Sequence, residues 1–213
     1  MSDLAEKLAG RFIVLDGPDG SGKSTQLARL ATWLRGSGLE VIEIRDPGGT
    51  AVGDRIREIL LDAAHAEMTV GCETLLYMAS RAQLWPERIA PALADGACVL
   101  CDRWVSATVA YQGAGGADPA DILAIYRKAL PGVQPDLTVV LDLDAETGLA
   151  RTGREGNRDR MESRDAAFHR RVRELFLTQA QREPERFVVV DAGGDVDAVQ
   201  NRLREAIRQW QPA

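Results

Sequence analysis

Lysine is scarce in this 213-residue chain, standing only at Lys7, Lys23 and Lys128, while arginine supplies almost all the rest of the positive charge. A lysine inside a glycine-rich loop, as Lys23 is, is therefore conspicuous. Positive charge is also outnumbered, 26 basic residues against 32 acidic for a net charge of −6. A polyphosphate ligand would have to be held by local potential, and wholesale nucleic-acid binding is disfavoured. No apolar run approaches the roughly 18 residues a membrane-spanning helix requires, and the start, MSDLAEKLAG, lacks the basic and apolar stretches of a signal peptide. A cytoplasmic protein with no membrane partner is the expectation. Cysteine is limited to Cys72, Cys98 and Cys101, which cannot all pair. Cys98 and Cys101 lie three apart in a strand-like run, so their side chains should point to opposite faces. Packed thiols fit this better than a redox or zinc site, which would need more ligands nearby.

What is present is an ordinary globular composition, 45% apolar and 27% charged, at a length suited to one domain over 1–213. Short apolar runs at 12–15, 41–44, 97–101, 137–141 and 187–190 read as buried strands. Helical spacing fills the intervals at 26–34, 55–61, 73–93, 122–130, 168–180 and 196–210. Strands alternating with helices predict an α/β fold, a five-stranded parallel sheet flanked by helices on both faces. Asp16, Arg45, Asp102, Asp142 and Asp191 each follow an apolar run directly. They either line the crevice at the strand ends, where ligands bind in such sheets, or face water as polar termini.

After the first run stands Gly17-Pro18-Asp19-Gly20-Ser21-Gly22-Lys23-Ser24, followed by Thr25 and a helical stretch. This satisfies G-x-x-x-x-G-K-[ST] in the strand-to-helix context that makes it a phosphate loop. Its glycines let successive backbone N–H groups turn toward phosphate oxygens, aided by the positive end of the helix dipole. Lys23 would reach the β- and γ-phosphates, and Ser24 would ligate Mg²⁺. The fold class is thus a P-loop NTPase with ATP expected on Gly17, Pro18, Asp19, Gly20, Ser21, Gly22, Lys23, Ser24 and Thr25. The three lysine contexts contain no Asn-Lys-x-Asp element, which excludes a GTPase, and the chain is too short for a large ATP-driven motor. A small-molecule kinase remains.

Further motifs point to the acceptor. Arg45-Asp46-Pro47-Gly48-Gly49-Thr50 follows the second strand, with a planar guanidinium suited to a monophosphate dianion beside a backbone bend. Tyr77 and Arg81 are four apart in a helical stretch and share a face; taken alone, Tyr77 could equally be core. Asp102, ending a buried strand, could hold the water shell of Mg²⁺, and Arg103 could bridge to the phosphoryl group in flight. Then come Trp104, Ala107, Thr108 and Ala110-Tyr111-Gln112-Gly113.

In this order and spacing the motifs resemble the thymidylate kinases, one of the nucleoside monophosphate kinases, over nearly the whole chain from Phe12 to the last strand. The resemblance implies ATP and dTMP as partners, Mg²⁺ as cofactor and a homodimer. It implies that Arg45 holds the acceptor phosphate, that Tyr77 and Arg81 stack on and bond the base, and that Asp19 touches the acceptor sugar. Thr108, Tyr111 and Gln112 become contacts near base and sugar, with Tyr111 crowding a 2′-hydroxyl. Tyr77, Trp104 and Ala107 depart from the family's more usual Phe, Tyr or His, and Ser.

The stretch 151–164, RTGREGNRDRMESR, could be a solvated helix end, but it falls where these kinases carry a mobile lid. Since the phosphate loop has no arginine, the resemblance implies that the lid supplies one. Arg154 is the first choice, Arg151 the second, with Arg158 and Arg160 behind them. Lys23, Arg103 and Arg154 are the expected catalytic residues, and Ser24 and Asp102 the metal ligands. The rival readings are a kinase of another nucleoside monophosphate or of a deoxynucleoside, and a non-catalytic nucleotide-binding protein.

Overall fold

The computed structural model describes residues 3–152, 160, 161 and 164–212. Five strands form the sheet: β1 (Phe12–Asp16), β2 (Val41–Arg45), β3 (Cys98–Asp102), β4 (Leu137–Asp142) and β5 (Phe187–Asp191). They are ordered β2-β3-β1-β4-β5 and every pairing is parallel. Each predicted strand is found within one residue, and each closes on the polar residue that follows its apolar run. Both faces are covered, so β1 and β3 are buried at every position, which is why these runs do not alternate.

One face carries α1 (Asp3–Leu8), α2 (Lys23–Arg35) and α10 (Val196–Gln209), whose Leu8, Leu30, Leu34, Leu203 and Ile207 pack on Ile13, Leu15, Leu100 and Val139. The other face carries α4 (Val70–Leu84), α6 (Val105–Ala114), α7 (Pro119–Ala129) and α9 (Ala166–Arg182). There Met78, Val109 and Tyr126 join Phe12 and Val14, while Tyr111, Val172 and Phe176 close over Val140. Cys98 lies in the first cluster and Cys101 in the second, on opposite faces as expected, and all three cysteines are free thiols.

α3 (Ala51–Leu61) begins where Thr50 accepts from Gly53 N, and α8 (Ala145–Thr152) follows β4. The helix expected over 73–93 is three pieces: α4, a π-helical turn at Trp85–Ile89 and α5 (Ala90–Ala94). Pro86 and Pro91 lack the N–H that a continuous ladder needs, and the widened turn accommodates this. α6 carries no helical period in the sequence, because its residues from Ser106 to Gln112 are all buried. Among the described residues no helix is long and apolar enough to cross a membrane.

Candidate active site

The strand ends open into one cleft of about 700 Å³. Gly17 closes its floor with φ 136°, and a Cβ there would lie 2.4 Å from Leu141 O. Gly20, at φ 74°, would meet Gly148 O of α8 at 2.2 Å. The loop is therefore wedged between β4 and α8, and only glycine satisfies both the turn and the close approach.

From Asp19 through Gln26 the loop and first turn of α2 line the cleft, Thr25 included. Gly17 and Pro18 contribute carbonyls: Lys23 Nζ donates to Gly17 O at 3.1 Å, to Pro18 O at 2.8 Å and to Ser21 Oγ at 3.3 Å. Burial, and after it the charge of Arg103, push the Lys23 ammonium down to about 8. Ser24 Oγ donates to Asp102 Oδ2 at 2.7 Å, so the two expected metal ligands meet although 78 residues separate them. An adjacent hydroxyl and carboxylate form an oxygen donor set that fits Mg²⁺, which takes few protein ligands and fills its octahedron with water and phosphate oxygens.

Arg103 is the one described non-glycine residue in the left-handed region, at φ 72°. This costs on the order of 1–3 kcal/mol and persists only where the surroundings impose it. Here they do: Nη1 donates to Gly17 O at 3.1 Å, Nη2 donates to Asp19 Oδ1 at 2.5 Å and to Tyr111 Oη at 3.1 Å, and the guanidinium sits 4.8 Å from the Tyr111 ring centroid. Burial by itself would raise the Asp19 carboxyl, but Arg103 and then Lys23 hold it below the ordinary carboxylate value. Asp16, fully buried beneath the loop, accepts from Ser106 Oγ at 2.6 Å. Burial raises it to about 6 against the pull of Arg103.

Beyond Arg103 the same cleft continues as a chamber lined from β2, α4 and α6. Arg45 reaches it from the end of β2, and among the described residues its side chain makes no ion pair. Tyr77 and Arg81 line it from α4, and Ala107, Thr108, Tyr111 and Gln112 from α6. Burial pushes the Tyr77 hydroxyl up to about 12. Arg81 is only 1% exposed; its Nε and Nη2 hold Asp46 Oδ2 at 2.7 and 2.6 Å, and Nη2 also donates to Trp104 O at 2.9 Å. Only Nη1, 3.7 Å from Met78 Sδ, remains for a ligand. Thr108 Oγ1 and Gln112 Oε1 are buried and without a partner, as polar atoms are when their complement is a ligand.

Trp104, which departs from the family's more usual residues, does not line the cleft. It is fully buried, edge-on to Phe12, and donates from Nε1 to Tyr126 Oη at 2.8 Å. Of the strand-end residues, Arg45 and Asp102 line the cleft and Asp16, Asp142 and Asp191 do not: Asp16 is fully buried, Asp142 is held by Arg173 at 2.6 and 2.8 Å, and Asp191 lies 3.5 Å from Arg202. Arg154 and Arg158 fall outside the described residues. Arg151 lines the cleft and donates to Gly20 O at 3.2 Å, whereas Arg160 is buried against Glu73.

Several lining residues had no signal in the sequence. Gln26 of α2 lines the cleft, as do Ala192, Gly194 and Asp195 from the β5–α10 turn and Val196 and Val199 from the start of α10. His169, buried with Nδ1 3.9 Å from Asp19 Oδ2, and Ser106 beneath Asp16 were also missed. Each is defined by a distant partner and by no local motif.

A phosphate loop after β1 and a parallel sheet of this order, with helices on both faces, give the fold of the P-loop nucleoside monophosphate kinases. A family model described as thymidylate kinase matches residues 15–203, and the chain belongs to that family. The thymidylate kinase of Deinococcus radiodurans is 48% identical over 201 residues, covering 94% of this chain and 97% of the relative. That of Alcanivorax borkumensis is 44% identical, covering 96% and 99%, and that of an Exiguobacterium strain 47%, covering 92% and 93%.

Proposed function

We propose that this chain transfers the γ-phosphoryl group of ATP to the phosphate of dTMP, giving dTDP and ADP in the supply of dTTP. The observation that carries this is the convergence on one cleft of the Lys23 loop, the Ser24–Asp102 pair, and the arginines Arg45 and Arg103. ATP would lie along Gly17 to Thr25, with Lys23 leaving its loop carbonyls for the β- and γ-phosphates. Mg²⁺, held through Ser24 and Asp102, would neutralise charge on the phosphates. A phosphate oxygen of dTMP attacks Pγ, the bond from Pγ to the β–γ bridging oxygen breaks, and the electron pair leaves with ADP. The attacking oxygen is already ionised, so positioning and charge stabilisation outweigh general-base help.

Arg45 and Arg103 would clamp the acceptor phosphate, Asp19 would face its sugar, and Tyr77, Arg81, Thr108 and Gln112 its base. Tyr111, whose ring is fixed by Phe168, Phe176 and Arg103, would crowd a 2′-hydroxyl. The chain would act as one domain over 1–213 with a lid around 151–164; Arg154 remains the first choice for its catalytic arginine, and Arg151 already stands beside Gly20. A homodimer is supported by the exposed Val52 and Ile59 on α3 and Leu75 on α4, and a cytoplasmic location by the absence of a spanning helix among the described residues.

A coupled assay of ADP release with dTMP, dUMP, dCMP and UMP tests reaction and acceptor together, with dTMP expected to be preferred. Arg45→Ala should raise the KM for dTMP by roughly 10- to 100-fold, the worth of hydrogen bonds to a charged group. An unchanged KM would remove Arg45 from the acceptor phosphate. Tight ATP binding without turnover of any monophosphate would favour a non-catalytic nucleotide-binding protein.

A further inference from the structure

The acceptor chamber is backed by a chain of buried polar groups that contact with substrate does not explain. Glu73 of α4 sits behind the chamber wall, buried, and both its oxygens are engaged. Oε1 pairs with Arg160 Nη1, and Oε2 accepts from Gln112 Nε2 at 2.9 Å. Arg160, itself buried, also donates from Nε to Leu60 O at 3.1 Å, near the end of α3. Residues from α4, α6 and the segment before α9 thus meet at one carboxylate, and Arg160 ties them to α3. Burying two charges is costly, and such pairs stabilise little compared with apolar packing. Fixing a single arrangement is the better-attested use.

The arrangement fixed here is the orientation of an amide. A carboxylate offers only acceptors, so the end of Gln112 that faces Glu73 has to be its NH2. Oε1 is then the atom left over, buried and without a partner on a residue that lines the cleft. Without Glu73 the amide could present either end.

We propose that Glu73 and Arg160 are positioning residues that lock Gln112 with its carbonyl toward the acceptor base. The chamber then offers an obligate hydrogen-bond acceptor. It selects pyrimidines with a ring N–H, such as the imide of thymine, over cytosine, whose corresponding ring nitrogen is itself an acceptor. This rests on the acceptor reading of the chamber given above.

The test is Glu73→Gln in the full-length enzyme, together with Glu73→Gln/Arg160→Met, which leaves no unpaired guanidinium and carries the test where the single variant fails to fold. An amide at position 73 can donate to Gln112 Oε1 and release the opposite orientation. Dissociation constants for dTMP and dCMP are measured alongside turnover, so that a poor acceptor still yields a number. The expected result is a fall of about tenfold or more in the preference for dTMP over dCMP, the scale of one mismatched hydrogen bond, with the KM for ATP unchanged. Equal loss for both nucleotides, or an unchanged ratio in folded protein, would overturn the proposal. Gln112→Ala separates the two layers of argument: if it leaves both dissociation constants unchanged, the placement of Gln112 against the base fails, and not merely its orientation.

Discussion

The two ends of the cleft are built on different principles. At the phosphate loop, Lys23 is held by its own loop, bonding residues two, five and six positions before it, and Gly17 and Gly20 seat the loop against Leu141 and Gly148. In the acceptor chamber, polar groups are held by buried side chains from separate elements: Asp46 to Arg81, Glu73 to Gln112, Trp104 to Tyr126. The difference teaches that charge handling can be encoded locally, whereas the chamber proposed for the base is assembled from packed helices. Damage should follow the same division, with loop variants impairing transfer and chamber variants impairing affinity or the fold itself.

The largest effect is expected on the chamber side. Asp46→Ala leaves Arg81 buried and unpaired, which should cost about 3–5 kcal/mol of stability, read as a lowered denaturation midpoint. A change in kinetics alone would show that the chamber is less dependent on its buried pairs than this comparison holds. Lys23→Ala should lower kcat by roughly 10²- to 10³-fold, the scale of losing one preorganised positive donor, while the dTMP dissociation constant stays near the wild-type value. A comparable loss of dTMP affinity would erase the distinction between the two ends.

The smallest effect is a pH limb. With Lys23 brought to about 8, the ammonium is charged below that pH and neutral above it. kcat/KM for ATP, which reports the free enzyme, should therefore fall about tenfold per pH unit above 8. Lys23→Arg, whose guanidinium keeps its charge, should remove the limb. Persistence of the limb in that variant would assign it to another group.

Much of the fold was legible because a sheet covered on both faces demands unbroken apolar runs, and all five were visible. α6 was not, since a helix buried on every side shows no period. The stretch 73–93 is helical as expected, but the π-helical turn within it was not legible, because proline effects on a helix depend on what packs around it. In the site, the phosphate loop and the Arg45 and Asp102 segments were readable as motifs. The buried roles of Asp16, Glu73 and His169 were not, as each depends on partners tens of residues away or more.

By itself the sequence determined the fold class, the triphosphate loop and the family, because each is written in residues adjacent in the chain or in a repeating period. The tertiary structure alone decided that Ser24 meets Asp102, that Asp142 and Asp191 turn away from the cleft, that Trp104 is core, and which end of Gln112 faces Glu73. Those outcomes are set by distances across the sheet and between helices. Composition and spacing along a chain do not contain them.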